Sequence, residues 1–201
     1  MIYYSTEIRW FSDKATPLVK LFNTFPGKSS NAQVRTDRYL NRNSESIGIK
    51  IREGRMEIKL LVGSHQHTFK RHRWTIEDWV KCSYQDSAGS LQKLGKIDSD
   101  NFSWIDILKK RKQKKYKIIK TTVTPVDFDE DINQGCTVEY TSIKVHETIP
   151  YYTLGFEAFG KDNQASYRNL TAMLNYSEAY LQPQALKEII CGGYARFFCL
   201  F

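Results

Sequence analysis

The sequence predicts an α+β protein, mainly antiparallel β, with about eight strands and two or three helices. Three observations predict it. Short segments rich in Ile, Val, Tyr, Phe and Trp alternate with polar residues at period two. Turn signals join them in pairs, most clearly at Gly54 between residues 46–53 and 55–63. Segments this closely spaced favour an antiparallel barrel or sandwich over a parallel sheet. The 201 residues are 41% hydrophobic and 13% aromatic, enough for one core. We therefore read one domain over 1–201, with a loop and basic helical insertion at about 84–115.

Residues 2–11 alternate and carry Tyr, Ile, Trp and Phe, which reads as a strand. Pro17 opens a short helix through Phe25, with Leu18, Leu21, Phe22 and Phe25 at helical spacing and Pro26-Gly27 ending it. Strands follow at 33–40, 46–53 and 55–63, then at 66–71, and a strand or short helix at 74–81. Residues 84–101 are rich in Ser, Gly and Asp and read as a loop. Phe102, Trp104, Ile105, Ile107 and Leu108 suggest a helix that ends in Lys109 to Lys115, where cations suit the macrodipole. A strand at 116–124 stops at Pro125, and an acidic turn spans 127–135. Strands at 137–145 and 151–160 form a second hairpin, a helix covers 163–181, and the apolar tail docks on the body.

Composition excludes several classes. Aromatic and β-branched residues are too plentiful for a disordered chain. No apolar run reaches the ~18 residues of a membrane span, so no membrane partner is expected. The N-terminus MIYYSTEIRWF lacks the basic and apolar regions of a signal peptide. Cys82, Cys136, Cys191 and Cys199 form no C-x-x-C pair and read as free thiols of a reducing compartment, so the expected address is cytoplasmic. His65 and His67, with His72 nearby, lack a third metal ligand and read as edge-strand histidines. Asp127, Asp129, Glu130 and Asp131 lack the spacing of a calcium loop. No G-x-S-x-G element supports a Ser/His/Asp hydrolase.

The positive charge is concentrated. The formal charge is +8, and residues 109–120, KKRKQKKYKIIK, hold eight bases and no acid, leaving 22 bases against 22 acids elsewhere. Such a run reads either as a solvated face or as a site for phosphate groups.

The strands pair an aliphatic face with a charged one. Ile47, Ile49 and Ile51 lie opposite Lys50 and Arg52, and Met56, Ile58, Leu60 and Val62 lie opposite Arg55, Glu57 and Lys59. Glu7, Arg9 and Phe11 share a face, as do Arg35, Asp37 and Tyr39. The charged face is either the solvent side of a sandwich or the inside of a barrel that holds a small anion.

These residues resemble a family. The stretch TDRYLNRNSESIGIKIREGRMEIKLL, 36–61, is similar to the core of the CYTH proteins, the triphosphate tunnel metalloenzymes, with Asp37, Tyr39, Lys50, Arg52, Glu57 and Lys59 at corresponding places. GFEAFG, 155–160, resembles the family's Glu-x-Glu strand, followed by a helix as here. Two departures stand out. The family's Glu-x-Glu-x-Lys becomes Glu7-Ile-Arg9-Trp-Phe11, and Gly155 replaces the first acid of the later pair, leaving Glu157. The resemblance implies an antiparallel, tunnel-like barrel and Mg²⁺- or Mn²⁺-dependent hydrolysis of triphosphates.

Two functional expectations follow. In the first, a triphosphate-bearing or polyphosphate anion is gripped by Arg9, Arg35, Lys50, Arg52 and Lys59, with Glu7, Glu57, Glu139 and Glu157 as residual ligands for Mg²⁺ or Mn²⁺. In the second, a non-enzymatic module binds nucleic acid or an acidic partner through Lys109, Lys110, Arg111, Lys112, Lys114 and Lys115.

Overall fold

The period-two segments pair mostly with their neighbours in sequence. The computed structural model describes residues 2–41, 44–69, 72–85, 103–145, 150–181, 186 and 190–199. Going round the sheet, β1 (Ile2–Ser12) pairs with β5 (His72–Gln85), which is followed by β4 (Arg55–Phe69), β3 (Ile47–Arg52) and β2 (Gln33–Asn41). Next come β6 (Ser103–Ile119), β8 (Gly135–Val145) and β9 (Tyr151–Gly160), and β9 returns to β1. The result is a closed antiparallel barrel of eight strands. Closure leaves the ring without a free edge. The hairpin of β3 and β4 turns on Glu53 and Gly54, both at positive φ (49° and 72°), as a two-residue turn of matching twist requires.

Two short strands lie outside the ring. β7 (Thr122–Val126) takes the edge of β6 beyond the end of β2, and β10 (Ile190–Cys191) takes the edge of β1 beyond β5. Three helices complete the described chain: α1 (Ala15–Thr24), α2 (Asn163–Ser177) and α3 (Tyr194–Phe198). Asp162 caps α2 by accepting from the Ala165 amide at 2.7 Å.

Which face turns inward follows from where the helices lie. α1 and α2 cover the outer wall, where Ile8, Trp10, Tyr116, Ile118, Val138, Leu154 and Phe156 pack against Leu18, Phe22, Leu170, Met173 and Leu174. The main apolar core is thus outside the barrel, and the charged residues of opposite parity face its lumen. One end of the lumen is apolar: Phe11, Tyr39, Ile107, Ile143 and Val145 gather round Phe197 of α3, whose ring stacks on Phe11 at 4.2 Å. The apolar tail therefore docks at one end of the barrel.

Several expectations are corrected. Residues 103–115 are not helical but form most of β6, the longest strand at 17 residues. The strands expected at 55–63 and 66–71 are one strand, β4, as far as Phe69, with a bulge between Leu61 and Gly63; residues 70 and 71 lie outside the described residues. Residues 74–81 are strand, within β5. The strand at 116–124 is the end of β6 and the start of β7, turned at Lys120 (φ 58°). Pro125 does not end a strand; it sits within β7 opposite Tyr116, on an outer strand where its missing N–H is tolerated. The second long helix ends at Ser177. Of the expected loop at 84–101, residues 86–101 lie outside the described residues.

Candidate anion site in the barrel lumen

Alternation along each strand sends every second side chain to the lumen, and many of these are charged. A cavity of about 150 Å³ results, lined by eight cationic side chains and four carboxylates. All five expected anion-binding residues line it: Arg9 of β1, Arg35 of β2, Lys50 and Arg52 of β3, and Lys59 of β4. So do all four expected carboxylates: Glu7, Glu57, Glu139 and Glu157. Three further cations were not in that set. Lys81 comes from β5, and Lys109 and Arg111 come from β6.

The basic run of β6 is split by its own pleat. Lys109 and Arg111 point into the lumen, while Lys110 and Lys112 are exposed outside. Lys114 is buried and donates to the Phe25 carbonyl at the end of α1. Lys115 donates to the Glu130 carbonyl at 2.8 Å. The six residues do not form one continuous patch.

The carboxylates are matched to cations. Asp37, fully buried in β2, is held by charge more than by aligned hydrogen bonds: Arg35 Nε lies at 3.0 Å, Lys109 Nζ at 3.4 Å and Lys50 Nζ at 3.7 Å. Glu57 takes Lys50 at 2.9 Å and Arg52 at 2.7 Å. Glu7 takes Lys59 at 2.8 Å. Glu139 takes Arg9 at 2.9 Å, Arg111 at 3.4 Å and the Gln113 amide at 3.1 Å.

Protonation follows from burial against these neighbours. Burial raises the Glu139 carboxyl, but Arg9, Arg111 and Lys109 outweigh it and hold it at about 2. Burial also opposes ionisation of Asp37, and Lys109, Lys50 and Arg35 bring it down to about 2. Lys50 and Lys109 are each pushed down to about 8, chiefly by burial, and each feels the other's charge or that of nearby arginines. Glu77, beside the cavity on β5, is pushed up to about 7 by burial and by Glu7, although Trp79 Nε1 donates to it at 3.2 Å.

Aromatic rings brace the cations. Lys109 donates to the Tyr39 hydroxyl at 2.7 Å and lies 3.7 Å from the ring centroid of Tyr194 on α3. Arg9 lies 4.8 Å from the same ring, and Lys59 lies 5.1 Å from Trp79. Tyr194 carried no signal in the sequence, because only docking of the tail brings it here.

The guanidinium groups of Arg9, Arg35 and Arg52 all line the cavity, and guanidinium suits phosphate geometry. A divalent metal fits less well. Among the described residues, no three His, Cys, Asp or Glu side chains converge to hold one ion. Glu7, Glu57 and Glu139 are each engaged by a cation. Likewise His65 bonds Asp78 at 2.6 Å, outside the cavity lining.

The chain matches no family model and no curated protein. Among solved structures it is similar to the PH1819 protein from Pyrococcus horikoshii OT3, at 16% identity over 92% of this chain and 93% of that one, with a TM-score of 0.40. It is also similar to S. pombe Pct1 RNA triphosphatase, at 10% identity over 98% of this chain and 81% of that one, with a TM-score of 0.39.

Proposed function

We propose that the lumen binds a triphosphate-bearing or polyphosphate anion. One observation carries the reading: eight cations and four carboxylates line one cavity, and even with buried Asp37 and Glu77 counted the charge stays positive. A closed lumen focuses that charge, because its walls exclude water and confine the field. The arginines that line it can supply directional contacts to phosphate oxygens. The exposed part of the basic run, Lys110 and Lys112, offers less to nucleic acid than the original run of six suggested.

The test is calorimetric titration with tripolyphosphate and ATP, with inorganic phosphate release followed in the same samples. We expect saturable binding that Lys50→Ala or Arg52→Ala weakens ~10-fold or more, the effect of losing one charge-assisted contact. Absence of saturable binding, or binding indifferent to both substitutions, overturns the reading. Phosphate release separates a hydrolase from a binder.

A further inference from the structure

Arg9, like Lys109, is among the most enclosed cations of the lumen, with 3% of its surface exposed. It leaves β1 opposite Gly155 of β9, and Gly155 in turn lies opposite Glu139 of β8. The guanidinium crosses the glycine and reaches the strand beyond. Its Nη1 donates to Glu139 Oε1 and to the Thr153 hydroxyl, both at 2.9 Å. Gly155 makes the crossing possible: a Cβ there would lie 2.7 Å from Arg9 Cζ and 2.8 Å from Nη2. Glu7 lies two residues along β1 on the same face, and Glu157, opposite Glu7 on β9, lies two residues from Gly155. A fixed positive charge thus stands among three lumen carboxylates, Glu7, Glu139 and Glu157. Burial disfavours that charge, yet Tyr194, Glu139, Glu7 and Glu157 together hold it firmly in place. A divalent ion seeking those carboxylates would meet the guanidinium.

We propose that the Arg9 guanidinium, threaded across Gly155, is the resident cation of this carboxylate cluster, and that the lumen takes its polyphosphate anion without a divalent metal. The proposal rests on the reading of the lumen as a phosphate site and specifies how that site is charged. Arg9 does two things at once. It neutralises carboxylates that would repel the anion, and its guanidinium, which lines the cavity, adds positive charge there.

The experiment has two arms on the intact chain. In the first, tripolyphosphate is titrated calorimetrically in EDTA and again with Mg²⁺ or Mn²⁺. In the second, Mn²⁺ alone is titrated and the free-ion signal followed by electron paramagnetic resonance. For the wild type we expect full tripolyphosphate binding in EDTA, no tightening by metal, and no saturable Mn²⁺ binding. Arg9→Ala should weaken binding in EDTA by ~10-fold or more while freeing the carboxylates to take Mn²⁺. Arg9→Lys, which keeps the charge, should keep Mn²⁺ out. Tripolyphosphate binding that appears only with metal, or saturable Mn²⁺ binding by the wild type, overturns the proposal and leaves the phosphate reading standing. Loss of anion binding in every condition overturns the phosphate reading itself, and the Mn²⁺ arm still reports whether Arg9 fills the cluster. The wild-type arms decide both points even if Arg9→Ala does not fold.

Discussion

A glycine in the middle of a strand ordinarily weakens it, since it adds backbone entropy and packs nothing. Gly155 and Gly48 are both strand glycines beside the lumen, and the structure assigns them different consequences. At Gly155 an added Cβ collides with the Arg9 guanidinium. At Gly48 it would lie 3.9 Å from Lys59 Cβ, an ordinary contact. Gly155→Ala should therefore displace Arg9 and leave Glu139 buried without its closest cation. Removing one partner of a buried pair costs about 3–5 kcal/mol, an upper bound for a guanidinium displaced within the lumen. Gly48→Ala should change stability by less than ~0.5 kcal/mol. Urea unfolding of the two variants measures the contrast. Equal, small effects would show that the guanidinium does not occupy the lane across Gly155.

Among the elements, β6 separates what the sequence made legible from what it hid. The hairpin of β3 and β4 was readable because its alternation is clean: Lys50 and Arg52 on one face, isoleucines on the other. Those parities put Lys50, Arg52, Glu57 and Lys59 in the cavity together. β6 carries lysines on both faces. Lys109 turns inward and Lys114 turns outward under α1, so no apolar period marks it as a strand. The apolar cluster before it then mimics helical spacing. Lys81 and Tyr194 were missed for other reasons. Lys81 sits in a strand whose partner faces were not assigned, and Tyr194 arrives by tertiary docking of α3. The structure also separates the basic residues by role. Lys114 bonds the carbonyl that ends α1 and lies 5.1 Å from the Phe22 ring. Its replacement by Ala should cost about 1–3 kcal/mol, as for a hydrogen bond to a charged group. Lys112→Ala, at an exposed position, should cost less than ~0.5 kcal/mol. Thermal unfolding of both variants tests this, and a neutral Lys114→Ala would argue against the seat under α1.

At the scale of the whole molecule, the lumen makes folding a titration, with a local stability maximum at mildly acid pH. Asp37 and Glu139 each stand at about 2 in the folded chain, below their ordinary values of 3.8 and 4.5. A carboxylate depressed in this way stabilises the fold above its unfolded pKa, and that contribution disappears as pH falls toward the folded value. The two together should remove ~3–6 kcal/mol between about pH 5 and pH 2, a large share of a typical domain's stability. Glu77 acts in the opposite sense. Held at about 7, chiefly by burial, it keeps its proton in the folded chain where the unfolded chain has lost it. Its ionisation therefore destabilises the fold by ~2–3 kcal/mol as pH rises from about 4.5 through 7. Lys50 and Lys109, lowered to about 8, lose protons in the folded chain before the unfolded chain does, so from about pH 7 upward they add stability as pH rises. Stability should thus rise on going from about pH 7 to about pH 5 and fall steeply below about pH 4, as urea midpoints across that range would read. Glu77→Gln should abolish the rise and leave the acid limb intact, because it removes one ionisation without touching the pairs of Asp37 and Glu139. A profile flat down to about pH 3 would mean that those carboxylates are not ion-paired in the lumen, and the charge arrangement on which anion binding depends would fail with it.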